Sequence, residues 1–197
     1  MRKELVFLLE EPSARALLET LLPRLLDPVI QHRLIPFEGK QDLEKRMVGK
    51  LRGYINPEAR FIVMRDQDSA PDCTVVKQRL LTKCAEAGRA SVSLVRVACR
   101  ALETFYLADL AAVEQVLGLR GLRSQQLNAK FRAPDYMEAP DHELGKLTAQ
   151  AYQKVRDSRL LGRELDLTNE RSASFKNLVN AIRRMEAELL ALPIPVE

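Results

Sequence analysis

Tryptophan is absent from this 197-residue chain, cysteine occurs three times and histidine twice. Cys73, Cys84 and Cys99 are widely spaced and form no CxxC pair. With only His32 and His142 to help, they do not supply the four closely spaced ligands of a structural zinc site. They read as three buried apolar thiols in a reducing compartment. No GxSxG elbow is present, and two histidines without a recognisable partner argue against a serine or cysteine hydrolase. Without a GxxxxGK[ST] loop the chain is not itself a P-loop ATPase. None of the four tyrosines has the setting of a strand-cleaving topoisomerase residue. No apolar run approaches the roughly 20 residues needed to cross a bilayer. The run after Met1-Arg2-Lys3-Glu4 is five residues long and ends in two glutamates, which makes a poor signal peptide. The expectation is a cytoplasmic protein without a membrane partner.

What is present suits one domain with a helical extension: 46% of residues are hydrophobic and 29% charged. The net charge of +4, from 31 basic and 27 acidic residues, proves nothing about nucleic acid by itself. Its distribution says more. From Leu119 to Arg132 the chain carries Arg120, Arg123, Lys130 and Arg132 and no acidic residue, and Arg156, Arg159, Arg163, Lys176, Arg183 and Arg184 follow. Basic surface beside an acidic pocket suits a polyanion whose scissile phosphate must reach a metal. The competing reading is a set of solvated helix faces.

Apolar spacing and turn signals predict strand, helix, strand, helix, strand, helix, strand over the first half, hence a parallel sheet. The expected strands are Glu4 to Leu9, Arg33 to Phe37, Arg60 to Met64 and Val92 to Val97. Pro36 assigns the second of them to an edge or an irregular position. The intervening helices are opened by Pro12-Ser13, marked by Leu43, Met47 and Leu51, and capped by Asp72. The third is expected to bury Val75, Val76, Leu80 and Leu81 and to end at Gly88. Leu102 to Leu117 reads as helix in two pieces, 119 to 142 as irregular, and Glu143 to Val155 and Phe175 to Leu192 as amphipathic helices. Pro193 to Glu197 reads as a frayed tail.

Three acidic clusters follow apolar strands: Glu10-Glu11 after Leu5 to Leu9, Asp66 and Asp68 after Phe61 to Met64, and Glu103 past Val92 to Val97. In an open parallel sheet the loops at the carboxyl ends of the strands gather along one edge, where ligands bind. Carboxylates collected there repel one another unless a positive charge lies between them, and a hard cation such as magnesium fits. Each cluster has a blander reading: turn aspartates, helix-start glutamates, a glutamate among core residues. Strand alternation sends Glu10 and Glu11 to opposite sides, so one of them faces the pocket. Lys40, after the second strand, reads as a phosphate contact or a solvated turn lysine, and Ser172 and Ser174 as helix caps.

The combination is more specific than its parts. Leu8-Leu9-Glu10-Glu11-Pro12-Ser13 resembles the glutamate motif of the Toprim (topoisomerase–primase) domain, and Phe61 to Asp68 resembles its DxD motif. Phe37-Glu38-Gly39-Lys40-Gln41-Asp42-Leu43, Asp72-Cys73, Arg96 to Glu103 and Ser172-Ala173-Ser174-Phe175 resemble a narrower group of small stand-alone Toprim-like bacterial proteins related to OLD-type nucleases. The resemblance implies an α/β Toprim/Rossmann-like core, a parallel four-stranded sheet flanked by helices, over residues 1–117. A helical extension over 118–197 packs on it. It implies a Mg2+- or Mn2+-dependent nuclease with Glu10, Asp66 and Asp68 as catalytic and metal-binding residues and Glu103 as a further ligand. Nucleic acid would run over Lys40, Arg120, Arg123, Lys130, Arg132 and Lys176. The narrower group occurs in phage-defence loci beside ABC/SMC-type ATPases, which implies an antiviral effector with an ATPase partner; a homo-oligomer stays open. Two departures stand out. Glu11 occupies the position usually held by glycine, and Ala101 stands where the group often has a second glutamate. The alternative they leave is a catalytically degenerate nucleic-acid-binding or regulatory subunit.

Overall fold

The structure, a computed structural model, describes residues 2–193; the expected tail beyond Pro193 lies outside the described residues. Four strands, β1 (Glu4–Leu9), β2 (Gln31–Pro36), β3 (Arg60–Asp66) and β4 (Ser93–Ala98), form one parallel sheet in the order β2-β1-β3-β4. β1 pairs with β2 in the register Leu5 to His32 and with β3 in the register Leu5 to Arg60; β3 pairs with β4 in the register Phe61 to Ser93. The central strands are buried on both faces, so they read as unbroken apolar runs. β2 lies on an edge and closes with Pro36, whose missing N–H costs nothing there.

Alternation along β1 divides the core in two. Val6 and Leu8 join Phe61, Val63 and Val95 under α2 (Lys40–Arg52) and α3 (Cys73–Glu86). Leu5, Phe7 and Leu9 face the other side, with Ile62 and Met64. They are covered by α1 (Pro12–Leu21), α4 (Glu103–Leu107), α5 (Leu110–Leu117), α8 (Lys154–Glu164) and α9 (Ala173–Leu190). This second cluster runs from Leu5 to Leu189 and is continuous from the sheet into the C-terminal helices.

Local chemistry explains most boundaries. Pro12 begins α1, where its missing N–H would be unpaired anyway. Asp72 caps α3 by accepting from Thr74 N–H at 2.7 Å. Gly88, at φ +71°, supplies the left-handed residue beyond that helix. Four expectations need correction. Val75 is exposed, and Cys84 takes its place on the buried face of α3 with Val76 and Leu80. Only Cys84 of the three thiols is fully buried. The span 119–142 is not wholly irregular: it holds α6 (Leu122–Gln125) and the start of α7 (Pro140–Leu147). The helix expected over Glu143 to Val155 is broken after Leu147, because Ala149 and Gln150 adopt left-handed φ of 48° and 64° and turn the chain before Lys154.

Candidate metal centre

All three acidic clusters lie at the carboxyl end of the sheet. Glu10 leaves β1 and is held by backbone bonds, its N–H to the Met64 carbonyl at 3.1 Å and its carbonyl to Gly39 N–H at 2.9 Å. Its Oε2 accepts the Asp66 N–H at 2.8 Å. The β3–β4 pairing continues past the strands: Gln67 N–H donates to the Ala98 carbonyl and Asp68 N–H to the Arg100 carbonyl, at 3.0 and 2.9 Å. Asp66 Oδ2 accepts Leu102 N–H at 3.3 Å, which ties the turn after β3 to the start of α4. Asp68 and Arg100 both take left-handed backbone angles, φ 55° and 65°. Strain of that kind, of order 1 kcal/mol or more each, persists where surrounding bonds fix the chain.

The side chains sort into two groups. On one side Asp68 Oδ2 meets Lys40 Nζ at 3.0 Å and Arg65 Nη2 at 3.3 Å. Arg65 is buried and also reaches Glu44 Oε1 at 2.6 Å and Glu10 Oε2 at 3.7 Å. On the other side lie Glu11, Asp66 and Glu103 with Lys154, whose Nζ pairs with Glu11 Oε1 at 2.8 Å. Glu103 is 1% exposed; its Oε1 accepts the Tyr152 hydroxyl at 3.1 Å, and its Oε2 is buried with no partner.

The electrostatics follow from that sorting. Burial pushes Asp66 well above the usual aspartate range, and the charges of Glu11, Glu10 and Glu103 push the same way. Burial also raises Glu103, and Lys154 works against it. Glu10 is raised by burial, partly offset by the Asp66 N–H. For Lys154 burial pulls downward, but its bond to Glu11 and the charges of Glu103, Glu11 and Asp66 outweigh it and hold the ammonium above its ordinary value.

Among the described residues, no three or more His, Cys, Asp or Glu side chains stand in an arrangement that could hold a metal ion as they are. The chemistry of the donors fits a hard cation nonetheless. Every donor is a carboxylate oxygen, Glu103 Oε2 is orphaned, and the charges of three other carboxylates act on Asp66. The charges of Glu10, Glu11 and Glu103 all act on Asp66, Glu10 from the Arg65 side and Glu11 from the Lys154 side, while Asp68 is engaged by Lys40 and Arg65. Arg120, Arg123, Lys130, Arg132 and Lys176 are all exposed and form no bond to these acids. Lys130 pairs with Glu143 and Lys176 with Glu170. Ser172 caps α9 by accepting Phe175 N–H at 3.1 Å, and Ser174 Oγ accepts Cys99 N–H at 3.4 Å. Sequence reasoning missed Lys154, Tyr152, Arg65 and Glu44. Lys154 and Tyr152 have no local signal, because only the packing of α8 on α1 brings them to the site.

A family model described as "Domain of unknown function (DUF4276)" matches residues 9–183. Among solved structures the chain is similar to the C-terminal region of the Burkholderia pseudomallei OLD protein, at 18% identity and a TM-score of 0.52. That match covers 93% of this chain and 98% of the other. The C-terminal region of the Xanthomonas campestris pv. campestris OLD protein is similar at 16% identity and a TM-score of 0.49, over 95% and 97% of the two chains. At such identities the first likeness speaks for the fold alone, and the second carries no weight beyond it. No curated protein matches the sequence. No helix of the described residues is long and apolar enough to cross a membrane.

Proposed function

This chain belongs to the DUF4276 family, and on that premise we propose that it is a divalent-cation-dependent nuclease. The observation that carries the reading is the orphaned, buried Glu103 Oε2 beside an Asp66 surrounded by Glu10, Glu11 and Glu103. A buried oxygen without a partner costs on the order of 1–3 kcal/mol, and a cation removes that cost. Asp66 and Glu103, with Glu11 and Glu10, would hold Mg2+ or Mn2+. Such an ion would supply Lewis-acid chemistry toward the phosphate.

The remaining work falls to this chain. The Asp66 N–H donates to Glu10 Oε2 at 2.8 Å and so orients that carboxylate. Arg65 pairs with Glu10, Glu44 and Asp68 at once and offsets part of their charge, which lessens their repulsion of a phosphodiester. Lys40 sits at the exposed mouth on Asp68 and can exchange that carboxylate for a substrate phosphate. Lys154 stands at the opposite wall, placed to meet negative charge that develops on the reacting phosphate. The resemblance to stand-alone Toprim-like proteins supports an antiviral effector that works with an ABC/SMC-type ATPase.

The test is cleavage of single- and double-stranded DNA and RNA with Mn2+ and Mg2+, run beside isothermal titration of the metal. Asp66→Ala and Glu103→Gln should each abolish cleavage, by 100-fold or more, and weaken metal binding. Nucleic-acid binding without turnover in any metal would establish the degenerate, regulatory alternative instead.

A further inference from the structure

A cleft of about 590 Å3 lies between the first turns of α3 and α9, with β4 and the Pro134–Tyr136 turn completing its wall. That is the size of a small-ligand site. Its lining carries four cationic side chains, Lys77, Arg96, Arg100 and Arg171, against two carboxylates, Asp72 and Asp135. Both carboxylates are spent internally. Asp72 accepts from Thr74 N–H, and Asp135 accepts from the Ser172 hydroxyl at 2.6 Å and the Ser174 N–H at 2.7 Å. Of the cations, Arg96 is engaged, donating to the Asn177 and Val95 carbonyls at 2.8 and 2.7 Å, and the other three are less occupied. Neither Lys77 nor Arg100 forms an ion pair among the described residues, and Arg171 makes one long bond to the Ala108 carbonyl at 3.4 Å.

Tyr136 also lines this cleft and is 87% exposed, on a short turn fixed by its own backbone bonds. An aromatic face held in water beside unpaired cations is the pairing that binds single-stranded nucleic acid: bases stack on the ring while cations take the backbone. In a duplex the base faces are already stacked, so only an unpaired base can use it.

The cleft adjoins the acidic site through two residues. Gln67, between Asp66 and Asp68, lines it, and Gln67 Oε1 accepts Arg100 N–H at 3.2 Å. The Arg100 carbonyl in turn takes Asp68 N–H. A strand with one nucleotide in the cleft therefore runs next to the carboxylates.

We propose that the cleft binds one unpaired nucleotide of a single-stranded nucleic acid, its phosphate on Lys77 and Arg100 and its base against Tyr136. The binding stands by itself; calling that strand the substrate rests on the nuclease reading above. The test is fluorescence anisotropy in EDTA with a labelled single strand of about 12 nucleotides, DNA and RNA in turn, beside the matching duplex. Tyr136→Ala should weaken single-strand binding fivefold or more, and Tyr136→Phe should restore it. Lys77→Gln with Arg100→Gln should weaken it tenfold or more. Duplex affinity should fall less than single-strand affinity in every variant. Unchanged single-strand binding in these variants would overturn the proposal. So would an equal loss for the duplex, or an affinity for free AMP as high as for the strand. If wild-type protein cuts nothing but Tyr136→Ala still loses the single strand, the cleft stands and the nuclease reading falls. If Asp66→Ala abolishes cleavage while the cleft variants bind normally, the reverse holds.

Discussion

Asp66 is 8% exposed and has Glu10, Glu11 and Glu103 for neighbours, so its negative charge is expensive in the metal-free protein. The amide of asparagine keeps an oxygen for Leu102 N–H and carries no charge. Asp66→Asn should therefore stabilise the metal-free protein, and the gain should grow as pH rises from the ordinary aspartate range, because wild type must then either ionise a buried carboxyl or hold its proton. The gain should shrink when wild type is saturated with Mg2+ and the variant is not. Thermal melts with and without metal check both halves. The acids themselves were legible in the sequence, because each follows an apolar run that ends at the sheet edge. What Glu11 does was only half legible. Strand alternation predicts that only one of Glu10 and Glu11 serves the pocket, whereas both act on Asp66 by their charge; and the Glu11 partner Lys154 stands 143 positions further along the chain, between two segments that nothing local links.

That partnership depends on helix α8 lying against α1. Gly162 permits the approach: a methyl there would sit 2.3 Å from Thr20 Oγ1 and 2.4 Å from the Leu17 carbonyl. Thr20 donates to the Arg159 carbonyl at 2.7 Å, and Arg24 donates to the carbonyls of Gly162 and Leu165, each at 2.9 Å. Because Leu17 O is backbone, the helices must separate to admit a side chain. Gly162→Ala should cost about 1–3 kcal/mol in denaturant melts and, by moving Lys154, lower any cleavage beyond what the stability loss explains. The same helix shows why part of the fold was hidden. Its buried face is Asp157, Ser158, Leu161 and Gly162, which gives no apolar periodicity to find. The break before it falls at Ala149 and Gln150, residues that do not advertise a left-handed turn as glycine would. The β1-to-β4 half was legible because proline, glycine and an aspartate cap punctuate strands of plain apolar composition.

Across the molecule, one apolar cluster joins the sheet to the C-terminal helices, from Leu5 to Leu189. Unfolding is expected to be a single cooperative transition for this reason. The exposed cations are spread more loosely. Arg120, Arg123 and Arg132 are solvent-facing and form no ion pair among the described residues. If they hold a nucleic-acid backbone, Arg120→Gln, Arg123→Gln and Arg132→Gln together should weaken binding at low salt. Each lost phosphate contact should also flatten the dependence of log K on log salt by about 0.7–0.9. An unchanged slope would return these residues to ordinary solvation. Charge balance at the sheet edge has a consequence of its own. Arg65 and Lys154 already answer the carboxylates from both walls. Chain collapse therefore need not wait for an ion, in contrast with small zinc modules that stay unfolded until loaded. Treatment with a chelator should leave the native shape standing, and any ion would be a late guest entering a finished house.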